Sequence, residues 1–221
     1  MVITRSRTGS NMLISLLNSH PEIIAKGELL ARLKGGSHEE ILRTKLIPRR
    51  RTRAIGFKLF YYHPMDHGRE EVWESLVSDP ALRIIHLKRR NVLRTCVSRA
   101  IAEKQDVWKE RTTEVKATAR EKAVHLSYDE LVEAFQKTRE WEEHTDRLFS
   151  GHPRLEVVYE QMAQTPVPTF SRVAAFLGVQ DHTPSTDLVK QNPEPLSQLI
   201  LNYEELRTRF EGTPWEVYFE E

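Results

Sequence analysis

Hydroxyl, amide and guanidinium side chains are concentrated in the segment Thr4–Asn11, whose sequence is TRSRTGSN. Apolar residues precede the segment and a pattern of helical spacing follows it, so its end is expected to open a helix. The unpaired backbone N–H groups and the positive dipole end at such an opening attract anions. Gly9 allows the backbone to approach a ligand closely, and Arg7 offers a guanidinium fork that suits phosphate or sulfate. Further donors are supplied by Thr8, Ser10 and Asn11.

These features predict a phosphate cradle, with an ordinary capped turn and a solvated arginine as the alternative. The cradle differs from the phosphate-binding loop of kinases and ATPases, G-x-x-x-x-G-K-S/T, because no lysine follows Gly9. A nucleotide kinase-like phosphotransferase is therefore disfavoured, although it remains the alternative among enzymes.

A second concentration of donors follows the apolar stretch Leu82–Leu87. Arg90 comes soon after this stretch, and Ser98 lies eight residues beyond Arg90. If a helix begins near Asn91, Arg90 lies at its opening and Ser98 lies about two turns along it. An arginine and a hydroxyl so placed suit a second phosphate, away from the first. Two phosphate sites at one edge of a sheet indicate a nucleotide that is phosphorylated at both ends.

The apolar residues alternate between strand-like and helix-like patterns along the chain. Strands are predicted at Met1–Thr4, Ala54–Tyr62, Leu82–Leu87 and Leu155–Tyr159. Helices are predicted at Asn11–Asn18, Glu70–Val77, Asn91–Asp106, Tyr128–Phe149, Thr169–Val179 and Pro195–Phe210. Such alternation is typical of an α/β fold with a mainly parallel sheet flanked by helices. Ligands bind at the carboxyl ends of the strands in these folds, so both arginine-rich segments are expected at the same edge.

The composition of the 221 residues indicates a globular protein in which 1–221 form a single domain. The formal net charge of +1 offers no argument for nucleic-acid binding, so any anion site depends on local clustering. The single cysteine, Cys96, excludes a disulfide framework and a zinc site with several cysteines. A chain with so little cysteine fits a reducing compartment.

The distribution of apolar residues bears on the cellular compartment of the protein. No apolar run reaches the roughly 18 residues that a membrane helix needs. The first residues do not match a signal peptide, and we expect a cytoplasmic protein. A luminal enzyme without its anchor would show the same pattern, and the short first strand leaves room for a segment upstream of Met1.

Three motifs, in order along the chain, resemble those of the sulfotransferase family. RTGSN, followed by LLNSHP, resembles the family's 5′-phosphosulfate loop, and RRNVLRTCVS resembles its 3′-phosphate motif, including the spacing from arginine to serine. LEVVYEQM, followed by FSRVAAFLGV, is similar to the family's strand, Tyr-Glu and Phe-Leu-Gly stretch. The resemblance runs from Ile3 to about Val179 and is weakest over Lys104–Phe149. It is closest to the bacterial-type branch that includes the trehalose sulfotransferases.

The resemblance implies a P-loop NTPase-like sulfotransferase fold and the donor 3′-phosphoadenosine 5′-phosphosulfate (PAPS). It also implies transfer of a sulfuryl group to an acceptor hydroxyl or amine without a metal. By this resemblance the 5′ side is held by Arg7, Thr8, Gly9, Ser10 and Asn11, and the 3′-phosphate is held by Arg90 and Ser98. Asn11 and Asn91 stand where the family often has Thr and Asp, and Val92 stands where it usually has Pro.

In-line sulfuryl transfer needs a general base near the acceptor. Glu28 is the first candidate, because a Gly-Glu at this place supplies the base in the bacterial and tyrosylprotein branches that the chain resembles. His63 is the second, since cytosolic members have a strand with a lysine and then a histidine base. Lys58 is expected to point inward and to contact a sulfuryl or acceptor oxygen, because a buried lysine is costly without a partner. A solvated carboxylate and a structural histidine are the alternatives for Glu28 and His63.

The acceptor is not predicted by any motif, although residues 104–149 are expected to form a helical insertion on the acceptor side. Carbohydrate, lipid or glycolipid head group, acyl chain and small-molecule alcohol all remain open, as does the oligomeric state. Trp108 and Trp141 suit either an acceptor-stacking surface or the core. Lys190 would contact the nucleotide if the C-terminal segment folds over it.

Two further interpretations belong to other functional classes. A non-catalytic module that binds 3′-phosphoadenosine nucleotides would retain the donor loops without an acceptor pocket. The basic run Arg49–Arg53 is expected to be a solvated loop, and nucleic-acid binding through it is the remaining alternative.

Overall fold

Strands and helices alternate over the residues that the computed structural model describes, which are 1–105, 118–188 and 191–220. The chain forms two compact units. The sheet unit comprises Met1–Lys88 and Trp141–Thr186, and the helical unit comprises Arg89–Glu140 and Asp187–Glu221. Whether the two behave as one domain over 1–221 stays a prediction.

The sheet unit is built on five parallel strands. Their bounds are Val2–Thr4 (β1), Ile23–Lys26 (β2), Ala54–Phe60 (β3), Ile84–Lys88 (β4) and Arg154–Val158 (β5), and their order is β2-β3-β1-β4-β5. In the central β1, Ile3 lies between Leu59 of β3 and His86 of β4. Because the strands are parallel, the carboxyl ends of β1 and β4 share one edge, which confirms the α/β fold and this part of the predicted geometry.

The helices take up the connections between strands and most of the helical unit. In chain order they are Ser10–Asn18 (α1), His38–Lys45 (α2), Arg69–Ser78 (α3), Val92–Gln105 (α4), Ala119–Lys122 (α5), Tyr128–Leu148 (α6), Tyr159–Gln164 (α7), Pro166–Leu177 (α8), Leu196–Leu199 (α9) and Tyr203–Phe210 (α10), followed by the 3₁₀ turn Glu216–Phe219. Helix α6 passes from the helical unit into the sheet unit at Trp141. None of the helices within the described ranges is long and apolar enough to cross a bilayer.

Alternate residues along the strands supply two apolar layers of the sheet unit. Val2 and Ile85 pack in one layer with α1 and α8, whereas Ile3 and Ile84 pack in the other layer with α3. The helical unit has a core of its own, in which the ring of Phe210 lies 5.6 Å from that of Phe135. These layers hold the strands in place, and the functional candidates of the sheet unit lie at or near the carboxyl ends of β1, β2 and β3.

The apolar pattern of the sequence does not predict β2 or α2. Strand β2 is a four-residue edge strand beside β3, and α2 is a short helix whose apolar residues, Ile41 and Leu42, are too few to give a clear helical pattern. The strand expected over Leu155–Tyr159 ends instead at Val158, because Tyr159 already begins α7.

The predicted helix over Pro195–Phe210 is wrong in its middle. Helix α9 ends at Leu199, and Ile200 forms an isolated parallel bridge with Val124. The Val124 N–H donates to the Leu199 carbonyl at 3.0 Å, and the Leu201 N–H donates to the Val124 carbonyl at 2.9 Å. Because this pairing takes backbone groups that a continuous helix would use internally, the chain resumes its helix only at Tyr203.

Candidate functional site

The connection from β1 to α1 has the backbone shape of an anion-binding turn. Gly9 lies at the start of α1 with φ +89°, and Arg7 also has a positive φ of 65°. Gly9 brings no side chain to cap the first N–H groups of α1, which therefore keep their attraction for anions. Thr8 and Ser10 are buried beside it. The loop therefore has the open helix start expected from the sequence, whereas the binding of a phosphate there stays a prediction.

The side chains of Lys58, Glu28 and Asn11 meet at the carboxyl edge of the sheet unit. Lys58 Nζ donates to Asn11 Oδ1 at 2.8 Å and lies 2.9 Å from Glu28 Oε1. The residue Lys58 is 2% exposed, whereas the Glu28 side chain is 38% exposed. Lys58 therefore points inward, as predicted, and the Glu28 carboxylate compensates the cost of burying its charge.

His63 lies just beyond β3 and is buried. Its Nδ1 accepts the backbone N–H of Phe60 at 3.2 Å, so in the neutral ring the proton is on Nε2. Among the described residues, that buried Nε2 has no hydrogen-bond partner. Burial lowers the pKa of His63 to about 4. The negative charge of Glu28 opposes this shift, and the positive charges of Lys58 and Arg69 add to it. The ring is therefore a neutral hydrogen-bond donor at pH 7.

Aromatic rings extend from His63 along the same side of the sheet unit. The Tyr62 ring lies 5.2 Å from that of His63, 5.6 Å from that of Phe60 and 5.8 Å from that of Trp141. Tyr62 and Trp141 are both half-buried. Trp108, the other tryptophan considered from the sequence, lies outside the described residues.

A hydrogen-bonded chain that the sequence does not reveal connects β3, β4 and α6. His86 Nε2 is 2.8 Å from the Tyr61 hydroxyl, and His86 Nδ1 is 3.0 Å from Asp146 Oδ1. Burial lowers the pKa of His86 to about 4, and burial also raises the pKa of Tyr61. The neutral ring therefore accepts from Tyr61 and donates to Asp146, so both ring nitrogens of this buried histidine are hydrogen-bonded. The sequence pointed to this hydrogen-bonded series only through a histidine within an apolar strand.

The second arginine-rich segment lies in the helical unit, which begins at Arg89. Arg90 is exposed, and Asn91 caps α4 by accepting the Arg94 N–H at 3.0 Å. Ser98 Oγ, on α4, accepts from Asn192 Nδ2 at 3.3 Å. Asn91 thus takes the capping role expected of an Asp at this place. Lys190 lies outside the described residues, so its contact with a nucleotide stays a prediction.

The basic run Arg49–Arg53 lies between α2 and β3. The Arg53 N–H donates to the Glu22 carbonyl at 2.9 Å, next to the first residues of β2 and β3. The run is therefore at the amino ends of these strands, on the edge opposite the loop after β1.

Comparison with known proteins bears on the chemistry of these groups. The family model described as Stf0 sulphotransferase matches residues 35–198, which is most of the chain. Two curated relatives are each called Nodulation protein H. That of Rhizobium meliloti is 25% identical over 239 residues, covering 99% of this chain and 94% of its own length. That of Rhizobium tropici is 26% identical over 235 residues, covering 100% of this chain and 92% of its own length.

Among solved structures, the chain is similar to a sulfotransferase from Alicyclobacillus acidocaldarius. The TM-score is 0.54 at 17% sequence identity, and the match covers 99% of this chain and 93% of that one. At this identity the likeness bears on the fold alone, and it agrees with a parallel sheet flanked by helices.

Proposed function

Because the chain belongs to the Stf0 sulphotransferase family, we propose that it transfers a sulfuryl group from PAPS to an acceptor hydroxyl or amine, with Glu28 as general base. The observation that carries the proposal is the contact of Lys58 with both Glu28 and Asn11. This contact places a half-exposed carboxylate and a buried ammonium beside the first turn of α1. Sulfuryl transfer needs a base near the attacking atom and a positive charge near the sulfuryl oxygens, so a carboxylate and an ammonium have to lie close together.

The donor is assigned to the two anion-binding segments. Its 5′-phosphosulfate binds at the loop Arg7–Asn11, supported by the positive φ of Gly9 and the open start of α1. Its 3′-phosphate binds at Arg90 and Ser98, supported by the exposure of Arg90 and by the start of α4 next to it.

The reaction is an in-line displacement at sulfur. The acceptor oxygen or nitrogen attacks the sulfur, and the bond from sulfur to the bridging phosphate oxygen breaks. The acceptor proton passes to a carboxylate oxygen of Glu28, and 3′-phosphoadenosine 5′-phosphate leaves. Lys58 and the first N–H groups of α1 stabilise the charge on the sulfuryl and leaving oxygens. A general base so placed contributes roughly 10²–10⁴-fold to the rate.

The hydrogen bonds of His63 favour Glu28 over His63 as the base. The Nδ1 lone pair of His63 already accepts the Phe60 N–H, and its Nε2 carries the remaining proton. A ring in this state has no lone pair with which to take a proton from the acceptor. We therefore assign hydrogen-bond donation to His63, and we assign the acceptor surface to the rings of Tyr62 and Trp141 beside it.

The test is the variant Glu28→Gln, assayed with donor labelled in its sulfuryl group against sugars, glycolipids and simple alcohols. We expect at least a 100-fold loss of turnover, while calorimetric titration with 3′,5′-ADP shows unchanged affinity. The matched control is Glu156→Gln, because Glu156 is another strand-edge carboxylate paired with a lysine, at 2.9 Å from Lys88 Nζ. His63→Gln should lose less than tenfold.

Two results would contradict the proposal. Turnover by Glu28→Gln equal to that of the unmodified protein would remove Glu28 as the base. Tight 3′,5′-ADP binding without turnover of any acceptor by the unmodified protein would favour a nucleotide-binding module instead.

A further inference from the structure

The residue proposed as base lies in a connection that the core alone does not orient. Glu28 follows Gly27 at the end of β2, and the chain continues through residues 29–37 before α2 begins. Leu30 and Leu33 are buried in the layer that contains α3, but apolar packing is not directional and leaves the backbone free to turn. Directional contacts at both ends of this connection supply the missing constraint.

The near end is fixed to β3. The Lys58 N–H donates to the Gly27 carbonyl at 3.1 Å, while the Lys58 side chain reaches Glu28. The Ala31 N–H then donates to the Glu28 carbonyl at 3.3 Å, which makes a tight turn around the base. One strand residue therefore holds the base through its backbone and its side chain.

The far end is held by the carboxylate of Asp66. Its Oδ1 accepts the Leu33 N–H at 3.0 Å, and its Oδ2 accepts the Lys34 N–H at 2.8 Å. The neighbouring His67 Nε2 accepts the Gly35 N–H at 2.9 Å. Three successive N–H groups of the β2–α2 connection thus donate to the side chains of two successive residues in the β3–α3 connection.

Backbone conformation agrees with a carboxylate held in a nest of N–H groups. Lys34 and Gly35 have positive φ values of 54° and 81°, and such left-handed residues help to turn successive N–H groups toward one anion. Hydrogen bonds from the Lys34 and Leu33 N–H groups hold the pKa of Asp66 well below its usual range. The carboxylate is therefore charged at every pH at which the enzyme would be assayed.

The β3–α3 connection, which contains Asp66, also contains His63. The Met65 N–H donates to the Ala31 carbonyl at 2.9 Å, and Trp73 Nε1 donates to the His63 carbonyl at 2.8 Å. Asp66 thus joins the segment that presents Glu28 to the segment that presents His63 and Tyr62. Two of the hydrogen bonds that join these segments therefore end on this one carboxylate, in addition to those from the Met65 N–H to the Ala31 carbonyl and from the Gly35 N–H to His67.

We propose that Asp66 is a positioning residue, which clamps Leu33–Gly35 to the β3–α3 connection and so keeps the Glu28 carboxylate against Lys58. This inference rests on the proposed role of Glu28. In this assignment Asp66 acts through Glu28 and contacts neither donor nor acceptor, and its hydrogen bonds go to Leu33 and Lys34 and not to the loop after β1. Loss of the clamp should therefore lower kcat with little change in donor affinity.

The variant Asp66→Asn tests this assignment, because it retains the size of the side chain and removes the charge and one of the two acceptor oxygens. We expect kcat to fall about tenfold, with the affinity for 3′,5′-ADP changed less than twofold. Hydrogen exchange of the amides of residues 33–35 should accelerate. Asp79→Asn is the matched control, since Asp79 Oδ1 also accepts a nearby backbone N–H, that of Ala81 at 3.0 Å, in another connection.

A double-mutant cycle separates positioning from a merely structural effect. If Asp66 acts through Glu28, Asp66→Asn should cost at most twofold in a Glu28→Gln background. A tenfold loss in both backgrounds, or a normal kcat in Asp66→Asn despite faster amide exchange, would overturn the assignment. Failure of the proposed function is distinct, because Glu28→Gln would then turn over normally whatever Asp66→Asn does.

Discussion

The ring of Tyr159 occupies the space beside Gly9, where an added Cβ would lie 2.2 Å from Cδ2 of the tyrosine. The first residue of α7 therefore shapes the loop that follows β1, although the two are far apart in sequence. Gly9 is needed both for its φ of +89° and for this close approach. The anion loop is thus supported from the β5–α7 connection as well as from its own backbone.

Gly9→Ala should destabilise the protein by about 3 kcal/mol or more, because the strain of a positive φ adds to a steric clash. Urea denaturation measures the loss. Gly178→Ala is the matched control: Gly178 has φ +72° but no atom within 4 Å of an added Cβ, so only about 1 kcal/mol is expected. In a cycle with Tyr159→Ala the two losses should be less than additive, and strictly additive losses would refute the clash.

Arg90→Ala should weaken 3′,5′-ADP at least tenfold in calorimetric titration, because a charge-assisted contact with the 3′-phosphate is lost. Binding of AMP, which lacks that phosphate, should be unchanged. Arg99→Ala is the matched control, since Arg99 is an exposed arginine of α4 that pairs with Glu103 at 2.8 Å. An equal loss for AMP would mean that Arg90 does not read the 3′-phosphate.

Acidification should destabilise the protein between about pH 6.5 and pH 4. Burial lowers the pKa values of His63 and His86 to about 4, so in this range the unfolded chain binds protons that the folded chain refuses. Each histidine contributes on the order of 3 kcal/mol of stability above this pH range, and the contribution is lost as the pH falls through it. The free energy of unfolding, measured by urea denaturation at several pH values, should therefore depend less steeply on pH for His86→Asn than for the unmodified protein. An unchanged slope would contradict the buried neutral state.

Much of the site can be predicted from local sequence, because its parts are ends of elements. The run TRSRTGSN predicts the open helix start at Gly9, and the apolar stretch before Arg90 predicts β4. The inward direction of Lys58 could be predicted because it is a charged residue within an otherwise apolar strand. These inferences need only the spacing of side chains along a strand or helix and the chemistry of a helix start.

The sequence by itself determined the α/β class, the parallel strands that carry the two arginine-rich segments, and the residue types suited to anions. Only the tertiary structure decided that Asn11, Glu28 and Lys58 meet, that Tyr159 packs against Gly9, and that Asp66 holds Leu33 and Lys34. The physical reason is that the first set depends on short-range periodicity. The second depends on which distant side chains the sheet order brings together, and no local pattern specifies those pairs.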